Sequence, residues 1–66
     1  MARKETASAV PLEQRKAIFL ALVQAQDKGQ SVEESRVTAA KQFEVTETQV
    51  KAIESEGLDN EWPPLS

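Results

Sequence analysis

The chain has no cysteine and no histidine. The first absence removes disulfides and thiolate metal sites, and the second removes the imidazole base. Together they exclude the usual zinc constellations and the Ser-His and Cys-His nucleophile pairs. Tyrosine is missing as well, so the general acids and bases reduce to Asp, Glu and Lys. No enzymatic activity, cofactor or metal is expected. Long apolar runs are also lacking. The longest, Ala17-Ile18-Phe19-Leu20-Ala21-Leu22-Val23, has 7 residues and falls far short of a membrane span. Met1-Ala2-Arg3-Lys4-Glu5-Thr6-Ala7-Ser8 contains a glutamate and adjoins no apolar segment of signal type. These features predict a cytoplasmic protein without a membrane partner. Positive charge is scarce too: 8 Lys and Arg stand against 11 Asp and Glu, a net charge of −3. An autonomous DNA binder usually carries a basic face, so this balance counts against one.

What is present is one domain at most. At 66 residues the chain is near the lower limit for stability from a hydrophobic core alone. Glycine occurs 2 times and proline 3 times, so each helix breaker is informative. Residues 1–9 are small and charged with nothing to bury, and are expected to form a disordered arm. The domain proper is residues 10–66. Pro11 suits the first turn of a helix, where a missing N–H is harmless. Gly29 suits the stop, which predicts a first helix over 11–28. Its apolar face is Leu12, Ile18, Phe19, Leu22, Val23 and Ala25, with Leu20 on the far side.

Ser31 followed by Glu34 has the spacing of a capping box and opens a second helix near 32–43. Val32, Ala39, Ala40 and Phe43 lie inward, and Arg36 shares their face. A half-buried guanidinium needs a carboxylate, and Glu54, Glu56 or Asp59 can supply it. Thr46 with Gln49 is another capping box. It opens a third helix near 47–56, with Val50 and Ile53 inward, Gly57 as its stop and Leu58 as the accompanying apolar contact. Helix 1 carries more apolar surface than two helices cover. The single tryptophan, Trp62, is therefore expected to be at least half buried against helix 1 near Leu20 or Val23. The Trp62-Pro63-Pro64-Leu65 stretch would form a rigid extended tail.

Ala40, Glu44, Val50 and Ile53 carry a resemblance. The spacing of a small residue, a turn residue and two branched residues across Val37–Ile53 resembles the helix-turn-helix superfamily. The likeness is to the two-helix unit of sigma-70-type region 4 domains. Glu44 departs from that pattern, which usually has glycine at a position of positive φ. The ending from Ile53-Glu54 through Gly57-Leu58-Asp59-Asn60 to Trp62-Pro63-Pro64-Leu65 resembles that of a small bacterial domain type and implies no function. The expected fold is thus all-α: a three-helix bundle containing a helix-turn-helix, with the tail packed on it.

In such units the third helix enters the major groove and reads bases from its outer face. The resemblance therefore implies double-stranded DNA as a partner and transcription as the setting. It implies Thr46, Glu47, Thr48, Lys51 and Ser55 as contacts, with Lys41 on the phosphate backbone. Glu47 could accept from a cytosine amino group. The same face read without the resemblance is a solvated helix surface, and its glutamates repel phosphate. The alternative function is a protein-interaction module, with a protein of the transcription machinery as its partner, docking through Leu20, Trp62, Pro63, Pro64 and Leu65.

Overall fold

A computed structural model describes residues 10–65; the expected disordered arm over 1–9 lies outside them. Three helices follow in order: α1 Leu12–Asp27, α2 Val32–Phe43 and α3 Glu47–Asn60. Each packs against the other two, and no strand occurs among the described residues. The core is Val10, Ile18, Phe19, Leu22, Ala39, Ala40, Val50, Ile53 and Trp62, with Val23, Phe43 and Val45 packed on it.

Both expected capping boxes form. The Ser31 hydroxyl accepts the Glu34 N–H at 3.1 Å, and the Glu34 carboxylate accepts the Ser31 N–H at 3.1 Å. The Thr46 hydroxyl accepts the Gln49 N–H at 3.0 Å, and the Gln49 amide oxygen accepts the Thr46 N–H at 3.0 Å. Each box satisfies two backbone donors at a helix start. Pro11 stands just before α1, and its carbonyl accepts the Arg15 N–H at 2.9 Å.

All three helices stop in the same way. A residue in the left-handed region is followed by one whose N–H reaches back five residues to a helix carbonyl, as in a Schellman motif. The pairs are Gln30 to Ala25 (3.1 Å), Val45 to Ala40 (3.0 Å) and Trp62 to Gly57 (3.0 Å). The left-handed residues are Gly29 (φ 105°), Glu44 (φ 56°) and Glu61 (φ 53°). Glycine takes this conformation without penalty, whereas a residue with a β-carbon is disfavoured there by about 1–2 kcal/mol. At the two glutamates the cost is offset by what comes next. Val45 packs on the core and Trp62 enters it, and burying such side chains contributes roughly 1.5–3 kcal/mol each.

Several expectations are corrected. Gly57 does not stop α3, which continues to Asn60. Gly57 is instead buried inside the helix, where a β-carbon would lie 2.5 Å from Cε1 and 2.7 Å from Cγ of Phe19. The helical penalty of glycine, about 1 kcal/mol, is outweighed by this close crossing of α1 and α3. Leu58 is accordingly exposed rather than a capping contact. Leu12 and Val32, expected inward, are exposed as well. Each is the first residue of its helix, and side chains lean toward the N-terminus, so both project past the helix start. Trp62 is buried as expected, at 7% exposure. Its ring packs edge-on against Phe19, with centroids 6.1 Å apart and planes at 86°. The segment after it is turned rather than extended, and the Leu65 N–H donates to the Trp62 carbonyl at 2.8 Å.

Candidate nucleic-acid interface

The junction between α2 and α3 is three residues long. Glu44 ends one helix in the left-handed region and Thr46 caps the next. Val45 between them is anchored on the core. Val50 and Ile53 then fix the inner side of α3, both fully buried. The helical period leaves Glu47, Thr48, Lys51 and Ser55 exposed. Thr46 is exposed too, but its hydroxyl already accepts within the cap. Lys41 is exposed in the last turn of α2, where a cation favours the negative end of the helix dipole.

The remaining acidic residues of mid-α3 are not free charges. Arg36 donates from Nε and Nη2 to one oxygen of Glu54, at 3.0 and 2.8 Å. This is the pairing expected for an arginine on the inner face of α2. Arg15 of α1 donates from Nη1 to both oxygens of Glu56, at 2.8 and 2.6 Å. Both pairs are largely shielded, with side-chain exposures of 17–28%. The two arginines thus clamp α3 to α1 and to α2. They also neutralise two of the negative charges of α3.

Sequence reasoning misses the Arg15 pair, although a signal is there. Arg15 sits one turn before Phe19 on the stripe that also holds Ile18 and Leu22, just as Arg36 sits among Val32 and Ala40. It misses Ser35 likewise. This side chain is polar and buried, and its hydroxyl donates to the Val32 carbonyl at 2.7 Å while accepting from the Gln26 amide at 3.1 Å. It lies on the α2 stripe with Ala39, and a small hydroxyl there fits a close crossing by satisfying itself locally.

The clamps leave an uneven charge balance. Residues 10–65 hold 6 Lys and Arg and 10 Asp and Glu. Two of each are in the ion pairs, so 4 lysines face 8 carboxylates outside them. Lys51 and Glu47 share a groove with Glu33, Arg36 and Val37 of α2. Among the described residues, no group of acidic side chains could hold a metal ion. No helix there is long and apolar enough to cross a membrane.

The alternative docking set is split by the fold. Leu20 and Leu65 are exposed at 40% and 48%, and Pro63 and Pro64 are exposed. Trp62, the residue best suited to docking, belongs to the core instead. The chain matches no protein-family model, no curated protein and no solved structure.

Proposed function

We propose that this chain is a small, non-enzymatic helix-turn-helix-like domain that contacts double-stranded DNA through the outer face of α3. It does so as one component of a larger cytoplasmic transcription assembly. The observation that carries this reading is the α2–α3 junction. A three-residue stop-and-cap turn leaves Glu47, Thr48, Lys51 and Ser55 together in solvent, while Arg36 and Arg15 neutralise Glu54 and Glu56 behind them. In this reading Thr48 and Lys51 meet base edges or phosphate, Glu47 accepts from a cytosine amino group, and Lys41 meets the flanking backbone.

The charge balance sets the second half of the proposal. With 8 carboxylates outside ion pairs among the described residues, few phosphates are neutralised and counterion release is small. Affinity in isolation is therefore weak, and added components must supply the rest.

The test is a titration of labelled mixed-sequence duplex at roughly 50 mM salt, repeated at roughly 200 mM. Binding should appear at about tens of micromolar, fall steeply with salt, and be lost in the Lys41→Gln, Lys51→Gln double variant. Absence of binding at low salt would turn the proposal to the second reading, a protein-interaction module. Exposed Leu20, Leu58 and Leu65 favour that reading, and buried Trp62 weakens it.

A further inference from the structure

We propose that the outer face of α2 around Val37 docks a basic segment of a partner protein, one that presents an apolar side chain between lysines or arginines. This goes beyond the DNA reading and does not rest on it. Val37 is 36% exposed and belongs neither to the core nor to the apolar residues packed on it. It is the apolar member of the set lining an open depression of roughly 500 Å³, with Gln30, Glu33, Glu34 and Thr38. Glu33 and Glu34 precede Val37 by four and three residues, so both stand on its side of the helix. Among the described residues, the charged groups that line it are these two glutamates.

The depression adjoins the groove between α2 and α3, since Glu33 and Val37 line both. In that groove Arg36 is held by Glu54, which leaves Glu33 and Glu47 against Lys51. Across the two depressions, the carboxylates of Glu33, Glu34 and Glu47 face the single cation of Lys51. The positive end of the α2 dipole, equivalent to about half a charge, does not cancel that excess.

An apolar residue among carboxylates selects its occupant. An apolar anchor meets Val37, and flanking cations meet the carboxylates. Nucleic acid is disfavoured on this face because phosphate would meet Glu33 and Glu34. A second copy is disfavoured too, because the chain carries a net charge of −3 and like charges would be brought together.

The experiment measures fluorescence anisotropy of a labelled amphipathic helical peptide built from Leu and Lys, titrated with the full chain. A matched peptide of Leu and Glu is the control. The Leu/Lys peptide should bind and the Leu/Glu peptide should not. Val37→Ser should weaken binding about tenfold, and the Glu33→Gln, Glu34→Gln pair about fivefold. The Glu34→Gln change keeps the capping hydrogen bond, since glutamine also serves that position, so all variants should stay folded and helical, the Glu33→Gln, Glu34→Gln pair melting slightly lower for want of its first-turn charges. Leu20→Ser should leave binding unchanged. The proposal is overturned if the Leu/Lys peptide fails to bind, or if the Leu/Glu peptide binds as well. It is equally overturned if binding survives both α2 variants or is lost in Leu20→Ser.

Discussion

The chain's two glycines do opposite jobs. Gly29 follows α1 with φ 105° and has open space where a β-carbon would go. Its role is conformational, and its surroundings are indifferent to its size. Gly57 is helical, and its missing β-carbon is the space occupied by the Phe19 ring. Its role is steric, and its conformation is one that any residue adopts. Around Gly29 little else is at stake. Around Gly57 the constraints converge: Phe19, the Trp62 N–H on the Gly57 carbonyl, and the Arg15–Glu56 pair one residue away. The start of α3 is the reverse of its end, with Val50 inward and Glu47, Thr48 and Lys51 exposed on its outer side. Stability is therefore concentrated at the end of α3 rather than at this exposed beginning.

The largest expected effect tests that concentration. Trp62→Ala removes the ring set edge-on to Phe19 and should cost about 3–5 kcal/mol. That approaches the entire stability expected of so small a domain. A thermal melt followed by circular dichroism should lose most of its cooperative transition. An unchanged melt would mean that the tail is no part of the core.

The paired glycine substitutions come next. Gly57→Ala should destabilise by about 1–3 kcal/mol despite the better helix propensity of alanine, because the ring must move. Gly29→Ala should cost about 1 kcal/mol, through backbone strain alone. Urea midpoints for the two variants rank them directly. If Gly57→Ala proved the milder, the steric reading of the α1–α3 crossing would be wrong.

The clamp between α2 and α3 should show an asymmetry of about 1 kcal/mol. Glu54→Ala leaves a largely shielded guanidinium without its acceptor, whereas Arg36→Met replaces the charge with apolar packing and should cost less. Equal losses in chemical denaturation would place Arg36 in solvent energetics rather than in the interface.

The smallest effect is a gain. Glu61→Gly relieves the left-handed strain at the end of α3 and should stabilise by about 0.5–1 kcal/mol. A loss would show that the Glu61 side chain contributes something beyond its backbone conformation.

The helix starts were legible because capping is a local interaction with a fixed spacing. Ser31 with Glu34 and Thr46 with Gln49 can be read from neighbouring residues, and both boxes form. Arg36 was legible by a different route, since a charge on an apolar stripe demands a partner, and Glu54 supplies it. The end of α3 was not, because glycine has two uses and the sequence does not distinguish them. Glu61 stops α3 without glycine, because Trp62 after it is drawn into the core. That force acts between distant segments and leaves no local mark.

For the candidate interface, residue types and helical period were enough to put Glu47, Thr48, Lys51 and Ser55 on one exposed face. Charge counting alone overstated the acidity of α3, since two of its glutamates are neutralised by arginines 41 and 18 residues away. The sequence by itself determined the number of helices, their starts and the inner positions of Val50 and Ile53, because hydrogen-bond spacing and periodicity act over a turn or two of helix. Only the tertiary structure decided where α3 ends, that Trp62 sets its ring edge-on to Phe19, and which charges stay outside ion pairs. Those outcomes depend on side chains meeting across helices, where close packing and ion pairing select among alternatives that are locally equivalent.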